Sequence, residues 1–353
     1  MRTPHLPPLI YVLHSGNLYG TEHMALATLT GLRHRFHPLL LAPDGPVHAE
    51  AQRLGLETRA FRSVAQLTSQ LASALRRHEH PRLVATGVSH SLLAHMLANL
   101  MRRKMVHLHV VHGGTDERLS YGRKAWMSSL PVTLVAVSDF VAQRLLAHGC
   151  RPSQLSVIEN FTTRPHSRER AEFRHNGIQR VAIVSRVDPI KRVGLLFDAL
   201  HKFPDLSDLR VDVYGHGSEM KALVSRTAAH PNVQLHGFVP DAANLIADHD
   251  LLLHTCAEEP FGLAILEAMA ARVPVLAPNA GGAGHLIENN VSGFHFCAND
   301  ATHLGQVLMR LMHTPADQLN AVVSGAQRKL STRFAPQRGL NEYIQLLEPL
   351  HAS

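Results

Sequence analysis

Cysteine is scarce in this chain. Cys150, Cys256 and Cys297 are the only three among 353 residues, they lie far apart, and no CxxC pair occurs. A disulfide framework and a cysteine-rich zinc site are thereby excluded, and a reducing compartment such as the cytoplasm is expected. Long apolar runs are missing too: no stretch reaches the ~18 residues that a membrane span requires. The first eight residues hold Pro4, Pro7 and Pro8 and no apolar core of a secretory signal. GxGxxG, GxxxxGK[ST], DFG, HExxH and GxSxG are all absent. The usual signatures of dinucleotide binding, P-loops, kinases, zinc proteases and α/β-hydrolases are therefore lacking.

What remains is ordinary globular composition, 45% hydrophobic and 18% charged. At roughly 150 residues per domain, the length suggests two domains. The net charge of +7 is unevenly placed: residues 1–163 carry 17 Lys/Arg against 9 Asp/Glu, and residues 164–353 carry 18 against 19. A basic first half suits an anionic partner such as a phosphorylated substrate or an anionic membrane surface. The 27 histidines are spread throughout. His107, His109 and His112 lie close together, but no carboxylate accompanies them, so no metal site is expected.

Short apolar runs recur along the chain, at Leu9–His14, Leu39–Ala42, Leu83–Thr86, Val106–Val111, Leu134–Val137 and Leu155–Ile158. Segments with helical spacing separate most of them: Thr21–Leu32, Gln66–Arg77, Ser91–Met101 and Asp139–His148. Such alternation predicts parallel βαβ units. The pattern breaks after Phe161, where the polar stretch Thr162–Ser167 reads as an interdomain linker. It then restarts with strands predicted at Val181–Val184, Val211–Tyr214, Val233–Leu235, Leu251–His254 and Val273–Ala277. Helices are predicted from Val193, Ser218, Asp241, Leu263 and Ala301, and a last one over Gln337–Leu347. The expected fold class is α/β, with two doubly wound, Rossmann-like parallel sheets and ligands beyond the carboxyl ends of their strands.

Several constellations could carry chemistry there. Ser185-Arg186-Val187-Asp188-Pro189-Ile190-Lys191 follows a strand and precedes a helix, and two cations on such a loop suit a diphosphate that gains charge as it leaves. Glu259 sits in a loop, and Glu267 falls inside an apolar helix starting near Gly262 and Leu263. Glu267 is expected to be buried, and a buried carboxylate calls for a partner such as the hydroxyl pair of a ribose. Gly281 and Gly282 could let backbone N–H groups approach an anion. His112, followed by Gly113 and Gly114, ends a strand where a cleft-facing residue belongs. Gly16 to Glu22, containing Gly20, sits between the first strand and the first helix. Asp248-His249-Asp250 is read as a helix boundary rather than a metal-holding Asp-x-Asp.

Together these residues resemble the retaining GT-B glycosyltransferases of the group-one or family-four type. The likeness covers nearly the whole chain and is strongest from Val181 to Phe296. Its most specific element is Glu259-Pro260-Phe261-Gly262-Leu263-Ala264-Ile265-Leu266-Glu267. The family's Gly-Arg-x4-Lys loop is matched from Ser185 to Lys191, with serine for glycine. Tyr214-Gly215-His216-Gly217 and His236-Gly237-Phe238-Val239 match two further signposts, and Gly20-Thr21-Glu22 resembles the family's first loop.

The resemblance implies a GT-B enzyme with an acceptor domain over residues 1–163, to which the helix in 336–353 returns, and a nucleotide-sugar domain over 164–335. It implies a retaining, metal-independent hexosyl transfer from a UDP- or GDP-linked sugar to a glycan or lipid-linked acceptor, in cell-surface or exopolysaccharide synthesis. Arg186 and Lys191 would bind the diphosphate, Glu267 the ribose, and Glu259 and His112 the sugar. Backbone around Gly20 would approach the phosphate or the acceptor. The donor is a substrate, so no cofactor is implied, nor a nucleic-acid partner. The expected location is cytoplasmic, peripheral on the inner face of the membrane. A UDP-sugar epimerase of the same fold and a non-catalytic binding protein stand as alternatives.

Overall fold

The structure is a computed structural model and describes residues 6–114, 117–162, 168–240 and 242–348. The expected linker falls largely on 163–167, outside the described residues. The chain divides into two compact units: residues 1–163 with 336–353, and residues 164–335.

The first unit is built on seven parallel strands: β1 Pro8–Val12, β2 His37–Pro43, β3 Glu57–Phe61, β4 Arg82–Ala85, β5 Val106–Val111, β6 Thr133–Ala136 and β7 Leu155–Val157. Their order is β3-β2-β1-β4-β5-β6-β7. Ile10 on β1 pairs with Leu39 on β2 and with Leu83 on β4. The strands read as apolar runs because helices cover both faces of a parallel sheet. Leu9, Ile10, Tyr11 and Val12 are accordingly all at most 1% exposed.

The second unit has six parallel strands: β8 Arg180–Val184, β9 Arg210–Tyr214, β10 Val233–Gly237, β11 Leu251–Leu253, β12 Val275–Pro278 and β13 Phe294–Phe296. Their order is β10-β9-β8-β11-β12-β13. Val181, Ile183, Val211, Leu251 and Phe294 belong to one continuous core with the covering helices. In both sheets the first strand in the chain lies inside the sheet. Strand order reverses beside it, between β1 and β4 and between β8 and β11.

Local chemistry sets the helix boundaries. Ser63 and Ser138 cap the helices Val64–Arg76 and Asp139–Ala147 by accepting from Gln66 N–H and Val141 N–H. Asp300 accepts from Thr302 and His303 N–H, both at 2.9 Å, at the start of Ala301–Leu311. The Pro336–Leu347 helix packs within the first unit, where Leu340 lies against Gly31 and Phe161 against Gly339.

Four elements escape the sequence pattern. β3 (ETRAF) has a single fully apolar pair of residues, and β13 is three residues long. The helix Val47–Arg53 is short, and Ala316–Thr332 carries only a thin apolar stripe in a polar sequence. The helix predicted from Asp241 is a 3-10 turn over Ala242–Asp248, Asp241 itself lying outside the described residues. The predicted strand Val273–Ala277 begins two residues later, at Val275, because Pro274 has no N–H to place in the ladder.

Candidate functional site

Parallel strands all deliver their following loops to one edge of the sheet, and the gap left where strand order reverses is where a ligand fits. In the first unit this gap lies past β1 and β4. His14, following β1, has Nδ1 2.7 Å from Thr86 Oγ1, which follows β4 and also accepts from the His14 N–H at 3.1 Å. His112 follows β5, the next strand. His14, Thr86 and His112 line a pocket of about 410 Å³ together with Arg123, Lys124 and Trp126.

Electrostatics in this pocket are lopsided. His112 is half-buried, and its Nε2 is shielded from solvent with no hydrogen-bond partner among the described residues. Burial, with a smaller contribution from His14, lowers its pKa to about 3, so the ring is neutral near pH 7. Burial also lowers Lys124 to about 8. Lys124 Nζ donates to the Leu119 carbonyl at 3.1 Å, and no carboxylate among the described residues pairs with it. Gly20 opens the helix Gly20–Leu32, whose first turn is tied down by Glu22 accepting from Tyr19 N–H at 3.0 Å. The adjacent Thr21 lines the pocket.

In the second unit the reversal lies past β8 and β11, and the loops there stack backbone on backbone. Ser185 N–H donates to Tyr214 O, Val187 N–H to His216 O, and Gly215 N–H to Gly237 O at 2.7 Å. A Cβ on Gly215 (φ +146°) would stand 1.7 Å from the Ser185 carbonyl oxygen, so only glycine fits. The loop after β8 is thereby held, and it ends in a 3-10 turn, Pro189–Lys191.

Lys191 reaches across the reversal. Its Nζ donates to Glu259 Oε2 on the loop after β11, with the two side chains 16% and 11% exposed, and its carbonyl accepts from Thr255 Oγ1 at 2.6 Å. Burial alone would raise the Glu259 pKa. The Lys191 ammonium and His254, whose Nε2 lies 3.4 Å away, outweigh it and hold the carboxyl below its usual range. Arg186, on the same loop as Lys191, is 52% exposed and bonded to Asp188 Oδ2 at 2.7 Å.

The glycines serve differently from the expectation. Gly262 has φ +106° and caps the helix Leu263–Ala270, with Leu263 half-buried as its first residue. Gly281 (φ +66°) and Gly282 lie against residues 257–260: a Cβ on Gly282 would meet the Pro260 carbonyl oxygen at 2.2 Å. The Gly282 N–H is already donated to Glu259 O at 2.7 Å. These glycines hold the Glu259 loop in place, and the Gly282 N–H is not offered to an anion. Glu267 is half-buried rather than buried, so desolvation alone does not demand a ligand for it.

The structure thus brings Lys191, Glu259, Gly281 and Gly282 together and sets Arg186 on the same loop as Lys191. Gly262, Leu263 and Glu267 lie on the helix that follows Glu259. His112 and Gly20 belong to the other unit. The Asp-x-Asp carboxylates are occupied: Asp248 pairs with Arg168 at 2.6 Å, and Asp250 pairs with Arg170 at 2.6 Å and accepts from the N–H groups of Gln179 and Arg180. Among the described residues, the side chains of His254, Cys256 and Glu259 place their ligand atoms within 4.8 Å of one another. A metal there would have to displace Lys191 and deprotonate a Cys256 thiol that burial pushes up to about 11, so the donors fit one poorly. His14, Thr86, His254 and Thr255 escaped the sequence reading. Each directly follows a predicted apolar run or ends it, and that position was the available signal.

Two parallel sheets, each gathering polar groups where its strand order reverses, define the GT-B class of protein. The chain belongs to the group 1 and family 4 glycosyltransferases: the profile described as "Glycosyl transferases group 1" matches residues 167–329, and "Glycosyltransferase Family 4" matches residues 18–163. Among its relatives is the amylovoran biosynthesis glycosyltransferase AmsK of Erwinia amylovora, 26% identical over 230 residues, covering 62% of this chain and 56% of the relative. Another is the putative colanic acid biosynthesis glycosyltransferase WcaL of Escherichia coli, 25% identical over 235 residues with the same two shares. The matched stretch thus spans little more than half the length of these relatives. A solved structure of Anabaena Alr3699/HepE in complex with UDP and glucose shares the fold, with TM-score 0.81 at 21% identity over 98% of this chain and 100% of that one. No helix among the described residues is long and apolar enough to cross a membrane.

Proposed function

We propose that this protein transfers a hexose from a nucleotide sugar, with retention at the anomeric carbon, to a glycan or lipid-linked acceptor in polysaccharide synthesis. One observation carries the reading: the buried Lys191–Glu259 pair at the strand reversal of the second unit. A lysine held out of water beside a carboxylate is a cation already desolvated and positioned. Phosphate oxygens of a leaving nucleoside diphosphate would take over its N–H groups as charge builds on them. Arg186, exposed on the same loop, would swing from Asp188 to the second phosphate, where its planar fork suits two oxygens. These cations supply the charge that a divalent ion would otherwise bring. Glu267 would hold the ribose hydroxyls, and Glu259 would meet the donor sugar.

Neutral His112, with its free Nε2, would contact the sugar hydroxyls at the acceptor side. UDP is favoured as the carrier, because the HepE structure of this fold holds UDP-glucose. The amylovoran and colanic acid relatives support a polysaccharide product. The basic excess of residues 1–163 suits a place at the anionic inner face of the membrane.

The test is a thermal-shift series with UDP, UDP-glucose, GDP and GDP-mannose, followed by an assay of nucleoside diphosphate release. A melting temperature raised by uridine ligands, and release that depends on added acceptor, are the expected results. Release without acceptor, accompanied by a change in the sugar itself, would favour the epimerase alternative. No shift with any of the four ligands would refute the donor site.

A further inference from the structure

The helix Val88–Leu100 is anomalous for a surface helix. Its inner face buries Ser91, Ala94, Leu97 and Ala98. Its outer face should then be charged, yet the helix (VSHSLLAHMLANL) contains no Asp, Glu, Lys or Arg. Leu92, Met96 and Leu100 instead stand outward at i, i+4 and i+8, with 37%, 59% and 79% of their surface exposed. Across the pocket mouth Trp126 is 65% exposed and Leu119 46%, and Leu92, Leu119 and Trp126 all line that pocket. These side chains form one apolar band around the pocket mouth rather than scattered apolar residues.

Cations rim the band. Arg102 and Lys104 follow the helix directly and are exposed, and Arg123 stacks its guanidinium over Trp126, 5.9 Å from the ring centroid. No Asp or Glu occurs between His80 and Gly114, nor in the 3-10 segment Gly122–Met127 that carries Trp126. A second copy of this chain would bring cations against cations. The combination of an exposed apolar helix stripe, an interfacial tryptophan and basic residues at its edge matches an anionic lipid surface in both apolarity and sign.

We propose that the outer face of Val88–Leu100, with Trp126, is the surface by which this protein docks on an anionic lipid layer, presenting the mouth of the His112 pocket to it. This rests on the peripheral placement proposed above and assigns the face responsible. Neither Met96 nor Leu100 lines the pocket, so the face can be altered without touching the pocket lining.

The experiment is flotation of the full chain with vesicles of phosphatidylcholine alone or mixed with equal parts of phosphatidylglycerol, at low and high salt. Wild type is expected to float with the mixed vesicles at low salt and to stay down with the neutral ones. Met96→Glu/Leu100→Glu should abolish flotation while keeping the wild-type melting temperature and the UDP-induced thermal shift. Arg102→Asn/Lys104→Gln should lower partitioning roughly twenty-five-fold, each cation near an anionic leaflet being worth about five-fold. If wild type does not float, peripheral placement and docking face both fall. If wild type floats and the double-Glu variant floats equally, only the assigned face falls. A wild-type dimer that the double-Glu variant splits, without flotation, would assign the band to a second copy and overturn the proposal.

Discussion

Replacing Lys191 with methionine keeps the aliphatic stem and removes the ammonium, leaving Glu259 buried beside a neutral side chain. Two consequences separate cleanly. The first is stability: a buried carboxylate stripped of its partner costs about 3–5 kcal/mol. His254 remains 3.4 Å from Glu259 and the pair is not wholly sealed from water, which places the loss at the lower end, about 3 kcal/mol.

The sign of the pH dependence reverses as well. In wild type the Glu259 pKa is depressed, so its stabilisation is complete above the unfolded value near 4.5 and is lost as pH falls toward the folded value. In Lys191→Met burial dominates and raises that pKa, so the variant gains stability as pH falls through the raised value. The second consequence is catalytic: losing one donor to the departing phosphate costs on the order of 10²–10³ in kcat. Urea melts at pH 5 and 8 read the first, and acceptor-dependent nucleotide release reads the second. Lys191→Met/Glu259→Gln should recover most of the stability and none of the rate. If the double variant regains activity, or Lys191→Met turns over like wild type, the assignment of Lys191 to the diphosphate is refuted.

Three further outcomes are expected. Burial lowers His107 to about 3, and His107 is 3% exposed, so its neutral form is favoured only by the folded chain; stability should fall by about 1.4 kcal/mol per pH unit from this group as pH drops from 6.5 toward 3. His107→Leu should flatten that part of a urea-derived stability curve. Asp248→Asn and wild type should both retain nucleotide release in the presence of chelator, because Asp248 serves Arg168 at a helix end; metal-restored activity in either protein would contradict this. Gly282→Ala forces a Cβ toward the Pro260 carbonyl at 2.2 Å, and should raise the KM for the nucleotide sugar and lower the melting temperature by several degrees, measured by initial rates and calorimetry.

Much of the fold was legible because buried parallel strands cannot conceal themselves. Leu134–Val137 and Val181–Val184 are apolar on both faces, and such runs separated by amphipathic helices leave few other architectures. β3 and β13 stayed hidden because a short strand near or at a sheet edge needs only a few apolar residues, and pairing with a neighbour, not composition, makes it a strand. In the site, the Glu259–Glu267 segment and the Ser185–Lys191 loop were visible as spacings. That Lys191 meets Glu259 was not, since 68 residues separate them in the chain and only the strand order brings their loops together. Glycine in the 281–284 cluster was visible too, but its use was not. A missing side chain can admit a ligand or a neighbouring loop, and here Pro260 and Glu259 occupy the space. The exposure of Met96 and Leu100 was hidden for a similar reason: helical spacing marks an apolar stripe without telling which stripe faces out.

The return of Pro336–Leu347 to the first unit bears on how the chain is made. During synthesis residues 1–163 emerge first, but Gly31 and Phe161 face Leu340 and Gly339, which the ribosome has not yet produced. At about 5–20 residues per second, the wait is on the order of ten to thirty seconds. For that interval the nascent first unit shows an uncovered apolar seam, a natural handhold for a chaperone, while the second unit, continuous from 164 to 335, can close as soon as it clears the exit tunnel.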